Sequence, residues 1–189
     1  MSRPWLDHSF EILLKTRVFA VRALRRLSPR DGSLHDFWVI DAPDWVNIVA
    51  LTADDQLVLV EQWRHGSQSV TVEVPGGMLD PGEDALTAAK RELREETGYA
   101  AEDWQWLGEV LPNPAIQSNR CATYLARNCR RVAETQFDTT EECVLRLEPA
   151  DGVAALIRSG EINHAIVVAA LNFAFLRGVL PMTPPVPGL

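Results

Sequence analysis

Residues 73–109 constrain this chain more than any other stretch. They hold ten acidic residues and only three basic ones, Lys90, Arg91 and Arg94, a local charge of 3 − 10 = −7. The whole 189-residue chain carries 18 − 26 = −8, so nearly all of its net charge sits here. A charge run is ordinarily a solvated helix face, but the spacing argues otherwise. At about 100° per residue, with Glu92 at 0°, Glu95 falls near −60° and Glu96 near +40°, so three carboxylates share an arc of about 100°. Ala85, Ala88 and Ala89 lie on that same arc one and two turns earlier, while Thr87, Lys90 and Arg94 stand opposite. The pattern is inverted relative to a simple amphipathic helix: the face that begins with small core-type residues ends in acids. Like charges at i,i+3 and i,i+4 repel and are costly to desolvate, so such a face requires a cation. Three oxygen donors with no partnering His or Cys favour a hard divalent ion, Mg²⁺ or Mn²⁺, over zinc. Just before the helix, the turn-rich segment 73–83 contains Gly76 and Gly77, which allow close backbone approach to a ligand or ion.

The remaining composition narrows the class. At 47% hydrophobic and 23% charged the chain matches an ordinary globular protein. A domain of this length can bury roughly 70% of its unfolded surface, so stability requires neither disulfides nor a structural metal. The acidic balance, with no run of Lys or Arg longer than two, argues against a nucleic-acid partner. Cys121, Cys129 and Cys143 form no CxxC pair and read as buried thiols of a reducing compartment. The first ten residues lack the basic end and apolar stretch of a secretory signal. The longest apolar run, 165–176, is interrupted by Asn172 and falls short of the ~20 residues of a membrane span. The expectation is a cytoplasmic protein with no membrane partner.

Turn punctuation at 29–32, 42–44 and 53–55 separates strands expected near 17–27, 34–40, 45–52, 57–63 and 70–74. A helix is expected over 83–97, further strands near 104–111, 120–128 and 142–148, and helices over 149–159 and 162–177. The last nine residues contain four prolines and read as an extended tail. Strands, one helix, more strands and then helices give an α+β domain in which helices cover a mixed sheet.

Gly77, five residues, Glu83, seven residues and then Arg91-Glu92-Leu93-Arg94-Glu95-Glu96-Thr97-Gly98-Tyr99 resembles a complete Nudix box, with every fixed position filled. Tyr99 stands where the family more often has an aliphatic residue. With seven fixed residues at ordinary usage, a chance match is on the order of one in a million. Similarity extends through the segment 60–64 to Pro112 and Pro114, and most of the chain resembles the ADP-ribose pyrophosphatase branch of Nudix hydrolases. Pro114, fifteen residues beyond Tyr99, matches a proline common in that branch.

The resemblance implies a Nudix-type α/β/α sandwich with a mixed sheet and an N-terminal antiparallel β extension. Residues 1–44 would form the extension, used for dimerisation and substrate contacts. Residues 45–180 would form the hydrolase domain and 181–189 the proline-rich tail. The implied reaction is divalent-metal-dependent hydrolysis of the pyrophosphate bond of ADP-ribose or a related nucleoside diphosphate sugar, giving a nucleoside monophosphate and a sugar phosphate. Other Nudix substrates (GDP-mannose, NADH, a dinucleoside polyphosphate) and a non-catalytic ADP-ribose sensor are the alternatives. Sensors commonly lose box carboxylates, and here all three are present.

By the same resemblance Glu92 and Glu96 are the main metal ligands, Glu95 shares an ion, and Gly76 adds a backbone oxygen to a site holding more than one Mg²⁺ (or Mn²⁺). Arg91 and Glu83 lock loop to helix, Arg64 contacts the diphosphate, and Glu73 faces the site. The proton acceptor for the attacking water is Glu142 or Glu141, with Glu142 favoured because it leads directly into a strand. Trp38, Trp45 and Phe37 are candidates for stacking on the base, and Ser118 and Asn119 for the sugar end. His8, His35, His65 and His164 show no ligand spacing and read as structural or surface residues. A homodimer is implied.

Overall fold

The computed structural model describes residues 3–136 and 143–182. The chain folds as two compact units, Met1–Asp44 with Leu111–Arg120, and Trp45–Val110 with Cys121–Leu189.

The first unit is an antiparallel sheet of β1 (Leu6–Lys15), β2 (Ala20–Leu27) and β3 (Leu34–Asp41), in that order. Opposite charges face each other across its strands, Arg26 with Asp7 at 2.6 Å and Arg25 with Asp36 at 3.0 Å. Such exposed pairs contribute little stability and chiefly favour the register. The second segment of this unit runs along β3. Ile40 N–H donates to the Ile116 carbonyl at 2.7 Å, and Ser118 Oγ donates to Asp41 Oδ1 at 2.6 Å. The strand β1 was not among the expected elements; its side chains, including Leu6, Phe10, Ile12, Leu13 and Leu14, are exposed in the single chain.

The second unit contains β4 (Trp45–Thr52), β5 (Gln56–Arg64), β6 (Ser69–Glu73), β7 (Gly76–Met78), α1 (Ala85–Thr97), β8 (Tyr99–Ala100), β9 (Asp103–Val110), β10 (Cys121–Arg131), β11 (Cys143–Pro149), α2 (Val153–Ser159) and α3 (Ala165–Leu176). Its sheet is mixed: β4 and β10 run parallel, and the other pairings are antiparallel. Alternation along β4 explains the layers. Val46, Ile48 and Ala50 pack with Ala88, Ala89 and Leu93 of α1, whereas Val49 and Leu51 pack on the other face with α2 and α3. A strand buried on both faces must be apolar throughout, and β4 nearly is. The result is the α/β/α sandwich with mixed sheet and antiparallel N-terminal strands that the resemblance implied.

Both C-terminal helices begin later than their spacing predicts. Residues 149–152 close a turn instead, with Gly152 N–H donating to the Pro149 carbonyl at 2.8 Å, and α3 begins only after His164. The strand β7 was also unexpected, because its glycines read as turn residues. Cys121, Cys129 and Cys143 are buried and form no disulfide; burial pushes the Cys129 thiol up to about 12.

The helix α1 is fixed at both ends. Asp84 accepts from the backbone N–H groups of Leu86 and Thr87 at 3.0 and 3.1 Å, a side-chain N-cap. Gly98 ends the helix in the left-handed region, φ +73°, with its N–H donating to the Arg94 carbonyl. A Cβ at Gly98 would lie 2.1 Å from the carbonyl oxygen of Ala133. Gly98→Ala therefore adds backbone strain of ~1–2 kcal/mol to a steric clash and should destabilise the fold by at least ~2 kcal/mol in urea denaturation. A change within 0.5 kcal/mol of zero would refute this account of the helix end.

Candidate active site

A cavity of about 690 Å³ opens in the second unit between α1, the hairpin β5–β6, β7 and the start of α3. Three groups of residues build it.

The first group lies on α1. Glu92, Glu95 and Glu96 all line the cavity, as the helical spacing requires. Ala88 and Ala89, earlier on the same face, are fully buried under the sheet, so the face passes from core to cavity along one helix. Arg91 supplies the countercharge. Its Nε and Nη2 pair with Glu83 Oε1 and Oε2 at 3.1 and 2.9 Å, Nη2 also donates to the Met78 carbonyl, and Nη1 reaches Glu92 Oε1 at 2.8 Å and Glu95 Oε2 at 3.1 Å. The bonds from Arg91 hold the Glu83 carboxyl below its ordinary range, and Glu83 in turn keeps the Arg91 guanidinium charged. Loop and helix are locked together through this one side chain.

The second group is the glycine strand. Gly76 N–H donates to Glu96 Oε2 at 2.9 Å. A Cβ at Gly77 would lie 2.3 Å from Glu92 Oε1, so only glycine lets that carboxylate rest on the β7 backbone.

The third group comes from the hairpin. Its register pairs Arg64 with Ser69, Gln62 with Thr71 and Val60 with Glu73, which places Gln62, Arg64, Thr71 and Glu73 on one face. Arg64 grips Glu73 with two bonds of 2.7 Å, and Thr71 Oγ donates to Glu73 Oε1 at 2.5 Å. His164 Nδ1 sits 2.9 Å from Glu73 Oε2, off the line of an ideal hydrogen bond. Burial alone would raise the Glu73 carboxyl, but Arg64, His164 and Thr71 together outweigh it and hold the group well below the usual carboxylate range.

The donor set fits a hard divalent ion. It consists of carboxylates facing one cavity, backed by a glycine strand, with no thiol among them. The three carboxylates share the cavity wall without converging: among the described residues no three acidic, imidazole or thiol side chains are grouped so as to hold one metal ion. Arg91 is the reason, since it draws one oxygen of Glu92 and one of Glu95 to itself while Glu96 takes the Gly76 N–H.

Glu141 and Glu142, the candidate proton acceptors, lie outside the described residues. Trp45 lines the cavity, whereas Trp38 and Phe37 belong to β3 of the first unit, where Phe37 packs edge-on against Trp5 at 5.1 Å between ring centroids. Ser118 and Asn119 also belong to the first unit. His164, read from the sequence as a structural or surface residue, lines the cavity and touches Glu73. Its partner lies far away in the chain, so no local spacing announces it. Asn47 and Gln62, also in the cavity wall, were likewise not singled out; their one signal is a polar residue inside a strand otherwise read as core.

The ionised Glu73 makes acid stability a direct check. Its folded carboxyl titrates below the unfolded value of about 4.3, so its stabilisation is complete above that value and is lost as pH falls toward the folded one. The stability gap between wild type and Glu73→Gln, measured by urea denaturation, should therefore shrink between pH 6 and pH 3. A gap independent of pH would contradict an ionised Glu73.

Comparison with known proteins agrees with this geometry. The NUDIX domain model matches residues 43–169. An ADP-ribose pyrophosphatase of Mycobacterium tuberculosis is 30% identical over 171 residues, covering 87% of this chain and 83% of its own. A methanol dehydrogenase activator of Bacillus methanolicus is 29% identical over 143 residues, covering 75% and 77%. Among solved structures, that of an ADP compounds hydrolase superposes with a TM-score of 0.82 at 25% identity, covering 94% of this chain and 96% of its own. A complete box laid along one cavity wall, inside a sandwich that matches the family over most of its length, means that this chain belongs to the Nudix family and is a Nudix hydrolase.

Proposed function

We propose that the protein hydrolyses the pyrophosphate bond of ADP-ribose or a related nucleoside diphosphate sugar, with Mg²⁺ or Mn²⁺ as cofactor and more than one ion per site. The observation that carries this reading is the presence of Glu92, Glu95, Glu96 and Arg64 in the lining of one cavity. The M. tuberculosis relative adds support through its name, ADP-ribose pyrophosphatase.

Glu92 and Glu96 would hold the ions, with Glu95 sharing one and the Gly76 carbonyl adding an oxygen. Bound there, divalent ions supply neutralisation of the diphosphate oxygens and a lowered pKa for a bound water. The chain's own residues do the rest. Arg64, fixed in plane by Glu73, pairs with the diphosphate, since its Nη1 makes no hydrogen bond among the described residues. Glu142 or Glu141 takes the proton as the water oxygen bonds to phosphorus and the P–O–P link breaks. With ADP-ribose the products are AMP and ribose 5-phosphate.

The N-terminal unit, residues 1–44 in the main, is assigned to dimerisation and substrate contacts, with 45–180 as the hydrolase domain and 181–189 as a tail. Exposed Phe10, Ile12, Leu13 and Leu14 support a homodimer, because apolar side chains in a row mark an interaction face. A cytoplasmic setting fits three cysteines that form no disulfide. No helix among the described residues is long and apolar enough to cross a membrane.

A panel of ADP-ribose, ADP-glucose, GDP-mannose, NADH and nucleoside triphosphates, incubated with Mg²⁺ and resolved by chromatography, tests the reading. Wild type should release monophosphate from a nucleoside diphosphate sugar, and Glu96→Gln should lose more than about 100-fold of that turnover. Unchanged turnover in Glu96→Gln would remove the helix carboxylates from the chemistry. Sedimentation equilibrium should show a dimer that Phe10→Glu weakens, and a monomer at all concentrations would contradict the role given to β1.

A further inference from the structure

Glu73 accepts three hydrogen bonds, at Oε1 from Arg64 Nε and Thr71 Oγ and at Oε2 from Arg64 Nη2, and His164 Nδ1 stands 2.9 Å from Oε2. The carboxylate is also buried, 3% exposed, so it has nothing left to offer a ligand. Its effect must pass through the two groups it holds. Arg64 and His164 meet the same oxygen and are therefore immediate neighbours, one from β5 and one from the start of α3. His164 Nδ1 is buried against Glu73, yet the side chain is one-third exposed and lines the cavity. With Nδ1 set against Glu73, Nε2 lies on the far side of the ring from that carboxylate.

We propose that His164 Nε2 and Arg64 Nη1 form a two-pronged contact for one phosphate of the substrate, with Glu73 as the positioning residue that orients both. This role deepens the function proposed above and rests on it in one respect, that a diphosphate occupies the cavity. The cavity is electrostatically divided. Glu92, Glu95 and Glu96 make its helix side acidic, and the hairpin side is where a phosphate oxygen meets cations.

Two experiments decide this. Sulfate is a tetrahedral anion that stays fully ionised near pH 7. Its titration into the full-length protein without metal should shift the His164 ring nitrogen resonances saturably in ¹⁵N NMR, and Arg64→Gln should weaken the response. In steady state, His164→Gln should raise KM for the best nucleotide of the panel by about tenfold, the value of one charge-assisted contact, and change kcat less than threefold. Glu73→Gln should reproduce part of that KM rise, and His164→Gln added to it should cost less than in wild type. A His164 signal indifferent to sulfate, together with a wild-type KM in His164→Gln, would overturn the proposal. A sulfate response without turnover of any nucleotide would remove the proposed function and leave the anion contact standing.

Discussion

The site depends on one guanidinium. Five charges meet around Arg91 within a short stretch of chain: its own, those of Glu83, Glu92 and Glu95, and Asp80 at the limit of ion-pair range, 3.9 Å. Four acids against one base would not stay together in a half-buried wall without further positive charge. Arg91 brings the loop and the helix into register, and it does so by taking one oxygen from each of two helix carboxylates. The excess of acid that remains is the physical case for a divalent cation. It is also why the helix could not be a solvated face: Ala88 and Ala89, earlier on the acidic arc, are committed to the core beneath the sheet.

Across the cavity the same logic runs with the signs reversed. Glu73 is buried and surrounded by donors, so it stays ionised and holds Arg64 flat against itself. A surface Arg–Glu pair would contribute little. Here the pair is a placement device, since a bidentate grip fixes the plane of the guanidinium and leaves its remaining edge for a ligand. One wall thus carries carboxylates and the other a guanidinium held in place by Glu73, a division that suits the proposed binding of a diphosphate and its metal ions.

What could be read from the chain follows from how local each signal is. The helix α1, its cap at Asp84 and its end at Gly98 are encoded within a few residues, and so is the three-carboxylate face. The strands β4 and β5 announce themselves as apolar runs because both faces are buried. The strand β1 does not, because it is exposed throughout and carries irregularities between Asp7 and Ser9 and between Ile12 and Leu14, which break its alternation. The strand β7 is hidden by Gly76 and Gly77, which are there for close approach rather than for a turn. His164 illustrates the limit: its meaning comes from Glu73, placed beside it only by the packing of α3 against the sheet. The aromatic candidates divide for the same reason, with Trp45 in the cavity wall and Phe37 packed against Trp5 in the other unit.

In the proposed function the acidic face of α1 holds divalent cations. The most direct measurement is an Mn²⁺ titration of the substrate-free protein followed by electron paramagnetic resonance, for wild type and for Glu92→Gln. Wild type should bind Mn²⁺ saturably and the variant with at least tenfold lower affinity, a difference of about 1.4 kcal/mol or more. Equal affinities, or no saturable binding in wild type, would contradict it.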